Sequence, residues 1–282
     1  MRMFSKFSGS TFAAFATGLL LCSAAAVTAQ AAEHNFYLTV DGRPTLTSGT
    51  YAGQTNPNSG RLTLLYAHWN DATPSSNHFH SIGVYSLTGA VDSPTVLDTN
   101  GNNRLPETYT AQKPLTLQAG SGSFAGKLVS GENGKHYSDL TLYSIHDLAA
   151  AATLNPTSPE GSMYNSNAGY KNTPLTGLDL ALEIVSISPG LNLGQAGLNQ
   201  PGERLAIGGE GSLPFEPVFW TAANAAPGNY SAALRLVDQA KVFGSSGTFH
   251  VDFAVVPEPA GIGMALIAGL GFVVATFRWR RG

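Results

Sequence analysis

Most of this chain is built from short runs rich in Thr, Val, Leu, Ile, Tyr and Phe, separated by Gly, Pro, Asn, Asp and Ser. Such runs are typical of short strands connected by turns. The clearest run alternates with period two and places Tyr230, Ala232, Leu234 and Leu236 on one face, which predicts a half-buried strand. Strands are predicted at residues 36–40, 61–69, 78–85, 114–117, 137–142, 178–188, 230–238 and 248–255, with one short helix at 145–154.

This pattern predicts an all-β fold, an antiparallel β-sandwich. We expect a single domain at residues 32–256, because no charged linker divides the segment. Residues 155–174 and 189–217 have the composition of long loops inserted between strands.

The N-terminus has the composition of a secretory signal peptide. Arg2 and Lys6 precede an apolar stretch at 12–27, and a small-residue site follows at 29–31. This order predicts export, with residues 1–31 removed. The alternative, a first transmembrane anchor, is less favoured because no charged stop follows the apolar stretch.

The cysteine content and the net charge each argue against a class of function. The only cysteine, Cys22, lies within the predicted signal peptide, so the mature protein would have no disulfide, thiol nucleophile or thiolate metal site. Residues 32–256 contain ten Lys or Arg against seventeen Asp or Glu, a net charge of −7. An acidic chain of this kind argues against nucleic acid as a partner.

The C-terminus combines three elements. Pro257, Glu258 and Pro259 form an extended segment, residues 260–277 are uncharged, and Arg278, Arg280 and Arg281 follow. The uncharged stretch is long enough for a transmembrane helix, and the arginines would hold its end in the cytoplasm. The alternative is an ordinary single-pass tail anchor that contains prolines.

This arrangement closely resembles the PEP-CTERM sorting signal. The resemblance implies an exosortase-type enzyme as a partner that recognises residues 257–259 and removes or transfers the tail. It also implies an intermediate anchored in the inner membrane, followed by residence at the cell surface or in the extracellular matrix.

The histidines are the best candidates for a binding site. His78 and His80 point to the same side of a predicted strand, and His68 ends the preceding one. A hairpin across residues 71–77 would bring the three together as zinc ligands, with Asp71 or water as the fourth. The alternative is that His78 and His80 are solvent-facing residues around a buried Phe79.

Three further histidines are weaker candidates: His136, His250 and His34. His250 shares a strand face with Asp252, so a polar pair across the strand is the simpler interpretation. His34 lies beside the predicted mature N-terminus, where disorder is expected.

A second resemblance concerns residues 34–40, 45–51, 64–69 and 78–85. They look like a group of cyanobacterial PEP-CTERM proteins controlled by a zinc-uptake repressor. The resemblance implies a role in capturing or buffering extracellular zinc.

No catalytic motif is present, and Glu203, Glu210 and Glu216 in one loop are a weak case for glycoside hydrolysis. The sequence therefore predicts a non-enzymatic, exported, zinc-binding surface or matrix protein. The alternative is a structural or adhesive protein without a metal site. It would contact exopolysaccharide through exposed aromatic side chains, for which the candidates are Tyr51, Tyr66, Trp69 and Tyr85.

Overall fold

A computed structural model describes residues 35–257 of the chain, except Ala168 and Tyr170. The predicted signal peptide, His34, the sorting-signal residues after Pro257 and the predicted helix at 260–277 lie outside the described residues. Within the described part, no helix is both long and apolar enough to cross a membrane.

Strands contain more of the described residues than helices do, as the sequence predicts. In chain order they are β1 Phe36–Asp41, β2 Arg61–His68, β3 His78–Gly83, β4 Ser86–Thr88, β5 Thr95–Leu97, β6 Arg104–Leu105, β7 Leu115–Thr116, β8 Gln118–Ala119, β9 Lys127–Val129, β10 Leu142–Ser144, β11 Leu180–Ile187, β12 Asn192–Leu193, β13 Arg204–Gly208, β14 Phe219–Ala222, β15 Gly228–Asp238 and β16 Phe249–Val255. Two α-helices, α1 Ala149–Leu154 and α2 Pro159–Ser166, lie between β10 and β11.

The strands form several sheets. One has the order β10-β1-β2-β3, and the largest has the order β13-β11-β15-β16-β6, with β7 also paired to β16. A third has the order β12-β14-β9-β8, and β4 pairs with β5. The pairings are antiparallel except for β1 with β10 and for β16 with β6 and β7, which are parallel. The prediction of purely antiparallel pairing is therefore wrong at three places.

Two apolar clusters lie on opposite faces of β1 and β2. On one face, Phe36 and Leu38 belong to a large cluster that also contains Leu234 and Phe253 of the six-stranded sheet. On the other face, Tyr37 packs in a smaller cluster with residues of the helical segment. Every residue of β1 is buried because both faces are covered.

The predicted boundaries are wrong in the middle of the chain. Residues 137–141 are not a strand, and the strand begins only at Leu142. Helix α2 occupies part of the predicted loop at 155–174, where Ser158 accepts a hydrogen bond from the Gly161 amide as its N-cap. The predicted helix at 145–154 is a 3₁₀ turn, Ile145–Leu148, continued by α1.

Asp238 closes the loop after β15. Its carboxylate accepts hydrogen bonds from the backbone amides of Asp179, Ala240, Val242 and Phe243, at 2.7 to 3.1 Å. Burial alone would raise the pKa of this carboxyl, but the four amides outweigh it and hold the pKa below its usual value.

We expect Asp238→Asn to lower the free energy of unfolding by about 1–3 kcal/mol at neutral pH, because an amide cannot accept from all four donors. In the wild type, the stabilisation by the Asp238 carboxylate is complete above about pH 3.9, the pKa of aspartate in the unfolded chain. It is lost as the pH falls through the lower pKa of Asp238 in the folded protein. The variant should therefore lose less stability than the wild type on acidification. Urea unfolding at stepped pH checks this, with the exposed Asp92→Asn as control. Equal acid-side slopes for wild type and Asp238→Asn would contradict it.

Candidate functional site

The β2–β3 hairpin brings three histidines together. Its register places His68 opposite His78 and Tyr66 opposite His80. The ring centroids of His68 and His80 are 4.2 Å apart, and those of His68 and His78 are 5.1 Å apart and stacked. The hairpin that the sequence predicts is present, and it gathers these rings because side chains at i and i+2 share a face.

A buried carboxylate, Glu107, completes this group. It follows β6, and its side chain has no exposed surface. Oε2 lies 2.8 Å from His68 Nε2, and Oε1 lies 2.6 Å from His80 Nδ1. The buried carboxylate therefore bridges the two partly exposed imidazoles, with one oxygen on each.

Three more side chains donate to Glu107. The amide of Asn102 and the hydroxyl of Tyr137 lie 2.5 and 2.8 Å from its oxygens, and the hydroxyl of Tyr109 lies 3.2 Å away. Burial by itself would raise the pKa of Glu107. The hydrogen bonds from His68, Asn102, His80 and Tyr137 together outweigh burial and hold the pKa well below its usual range. The carboxylate is therefore ionised at any physiological pH.

The same charge acts on the neighbouring phenols. Burial, followed by the charge and hydrogen bond of Glu107, raises the pKa of Tyr109 to about 12. Burial and the hydrogen bond to Glu107 also raise the pKa of Tyr137. Both hydroxyls therefore keep their protons near neutral pH and act as donors.

His68, His80 and Glu107 can hold a metal ion. One ligand atom from each lies within 4.8 Å of the others. The side chains of His68 and His80 are 21% and 29% exposed, so the group is reachable from solvent. An open cleft lined by Ser81, Asn102 and Tyr109 leads to His80. Two imidazole nitrogens and one carboxylate oxygen form a donor set that zinc accepts, with a fourth position left over.

His78 lies at the outer edge of the group. Its Nε2 is 3.2 Å from Nε2 of His80, the nitrogen that faces away from Glu107, and its Nδ1 is 2.9 Å from the carbonyl of Ser76. His78 is therefore beside the group, and its role as a ligand stays a prediction.

Asp71, the carboxylate that the sequence predicts as a fourth ligand, is exposed in the hairpin loop. It is not part of the ligand group. The carboxylate at the site is that of Glu107, about forty residues further along the chain. No spacing or periodicity in the sequence singles out Glu107, because the chain returns to the hairpin only through the tertiary fold.

Of the weaker histidine candidates, the two within the described residues, His136 and His250, do not belong to the ligand group. His136 lies nearby, with Nε2 2.9 Å from the hydroxyl of Tyr66, and burial lowers its pKa. His250 lies on β16 beside Arg104 and Asp252, in another sheet. His34 is outside the described residues. A role of His250 as a metal ligand stays a prediction.

The aromatic residues proposed for polysaccharide contact are buried or half-buried. Tyr66 is fully buried and packs against Tyr137, with ring centroids 4.6 Å apart. Tyr51, Trp69 and Tyr85 are half-buried, and Arg61 covers the ring of Tyr85 at 4.4 Å. The prediction of an exposed contact surface is therefore wrong for Tyr66. Tyr51, Trp69 and Tyr85 keep part of their surface, and their contact with polysaccharide stays a prediction.

The three loop glutamates have separate surroundings. Glu203 accepts from the backbone amides of Asn199 and Gln200. Glu210 contacts Ser144 at 2.5 Å and His146 at 2.6 Å. Burial and then the charge of Asp139 raise the pKa of Glu216. Each carboxyl therefore has a different set of partners.

No protein-family model matches this chain, and no curated protein or solved structure is detectably similar to it.

Proposed function

We propose that this protein is an exported, non-enzymatic protein that binds one divalent metal ion through His68, His80 and Glu107. The ion that we propose is zinc. The observation that carries the proposal is the convergence of two partly exposed imidazoles on one fully buried carboxylate. A bound cation would add positive charge beside this buried, ionised carboxylate and so be attracted to it.

The donor atoms fit zinc. Zinc takes imidazole nitrogen and carboxylate oxygen at about 2.0–2.2 Å, and sites with two histidines, one glutamate and an open position are among its common arrangements. Ligands must lose their protons to bind a metal. Glu107 meets this condition already, because its pKa is held below the usual range. To admit the ion, His68 Nε2 and His80 Nδ1 lose the protons that they donate to the carboxylate and move apart from it by a fraction of an ångström.

The wider proposal places this site on the outside of the cell. The apolar stretch at 12–27 and the segment 257–282 support export and sorting by an exosortase-type enzyme. We also propose that the six-stranded sheet and the sheet β10-β1-β2-β3 form a β-sandwich, supported by the apolar cluster that contains residues of both. A zinc site on such a protein would serve extracellular capture or buffering of the metal.

Zinc titration of the purified full-length protein by calorimetry tests the proposal. We expect one ion per chain at about pH 7.5. Neutral imidazole is the ligand form and free histidine has a pKa of about 6.5, so the affinity should fall roughly tenfold or more at about pH 5. Unchanged affinity across this range would contradict ligation by histidine.

A further inference from the structure

The hydroxyl of Tyr109 is placed unusually for an exposed residue. Tyr109 is 62% exposed, the largest value among the exposed aromatic side chains of the described residues. Yet its oxygen lies 3.3 Å from His68 Nε2, 3.3 Å from His80 Nδ1 and 3.2 Å from Glu107 Oε2. One oxygen is therefore nearly equidistant from all three atoms of the ligand group.

The local chain holds this oxygen over the site. Glu107 precedes the 3₁₀ turn Thr108–Thr110, and the Thr110 amide and hydroxyl both donate to the carbonyl of Glu107, at 3.1 and 2.6 Å. Ala111 ends the turn in the left-handed conformation, with φ of 54°. The tyrosine two residues after the carboxylate is thereby folded back, and its ring packs against His80 with centroids 5.7 Å apart.

The distances match those between ligands of one ion. In a tetrahedral zinc site with bonds of about 2.0–2.1 Å, neighbouring ligand atoms are about 3.3 Å apart. The hydroxyl of Tyr109 has this separation from the other three. It stands where the fourth ligand of the tetrahedron would stand, on the side of the group that faces solvent.

Resting on the zinc site proposed above, we propose that Tyr109 is the fourth protein ligand and closes the site over the bound ion. When the metal binds, the phenol O–H bond breaks, the oxygen–metal bond forms and the proton passes to solvent. The donor set is then two imidazoles, one carboxylate and one phenolate, which leaves no position for an activated water. Such a closed set suits a protein that stores or carries the ion, in contrast to the open position of catalytic zinc sites.

A tyrosinate signal tests this inference separately from the zinc site. We expect zinc to produce the near-ultraviolet difference absorption of one tyrosinate in the wild-type protein. Tyr109→Phe should abolish that signal and weaken zinc binding by at least roughly tenfold, since residues that only support ligands already change metal affinity by about 10–100-fold. Tyr230→Phe is the matched control, because it removes a hydroxyl that bonds only to the carbonyl of Ala226 in the described structure.

The outcomes separate the two proposals. Zinc binding by the wild type without a tyrosinate signal, or with equal affinity in Tyr109→Phe, would overturn the ligand role of Tyr109 and leave the zinc site standing. Absence of any zinc binding by the wild type would overturn both. Because Tyr109 is largely exposed, the variant is expected to fold, and the wild-type spectrum gives a result without any variant.

Discussion

Replacing both His68 and His80 by alanine is expected to lower the affinity for zinc by more than about 100-fold. The substitution removes two of the three ligand atoms that converge in the structure. Even residues that merely support ligands change metal affinity by about 10–100-fold, so loss of two ligands should exceed that range. Calorimetric titration of the full-length protein measures the effect directly.

Two other variants make this result specific. His146→Ala with His250→Ala also removes two partly buried histidines, but these lie outside the ligand group, so the affinity for zinc should stay unchanged. His78→Ala tests the edge of the group, and we expect a smaller loss because its Nε2 contacts only the outer nitrogen of His80. A double variant of His68 and His80 that still binds zinc as tightly as the wild type would show that the site is elsewhere.

Replacing Glu107 by alanine is expected to cost both metal binding and stability. The carboxylate is fully buried and accepts from side chains of three different parts of the chain: the β2–β3 hairpin, Asn102 and Tyr137. Its removal leaves the buried hydroxyl of Tyr137 and the amide of Asn102 without their acceptor. Losing one member of a buried charged network costs about 3–5 kcal/mol. At about 2–4 °C per kcal/mol for a domain of this size, the melting temperature should fall by roughly 6–20 °C.

The isosteric change Glu107→Gln separates charge from packing. Glutamine fills the same space but presents an NH₂ group to donors, so part of the stability loss should remain. Zinc affinity should fall nearly as far as in the alanine variant, because the ligand charge is gone. Thermal unfolding and zinc titration on both variants give the comparison. A glutamine variant that binds zinc like the wild type would remove Glu107 from the ligand set, whatever its stability.

Part of this site was readable from the sequence. The period-two spacing of His78 and His80 requires a shared face in any strand, and a hairpin with the strand that ends at His68 places the third histidine beside them. These are local rules, so they hold without knowledge of the rest of the fold. They predict the gathering of three histidines, which the register of β2 and β3 shows.

Glu107 and Tyr109 were not readable in this way. They lie between short strands, β6 and β7, each of two residues, and β6 pairs with β16 at the far end of the chain. Their approach to the hairpin is a long-range event, and no local periodicity records it. The sequence instead suggested Asp71 as the carboxylate, because Asp71 is close to the histidines along the chain. Proximity in sequence was a poor guide since hairpin loops are turned toward solvent.

By itself, the sequence determined that the fold is built of strands, where the longest strands lie and which face of β15 packs in the large apolar cluster. Alternation of apolar residues is a direct consequence of strand geometry, so these features follow from local chemistry. Only the tertiary structure decided which strands pair in parallel, where the short strands begin, and which carboxylate and phenol meet the histidines. Those outcomes depend on contacts between segments that are distant along the chain. Such contacts produce no periodic pattern in the local sequence, so the sequence alone does not predict them.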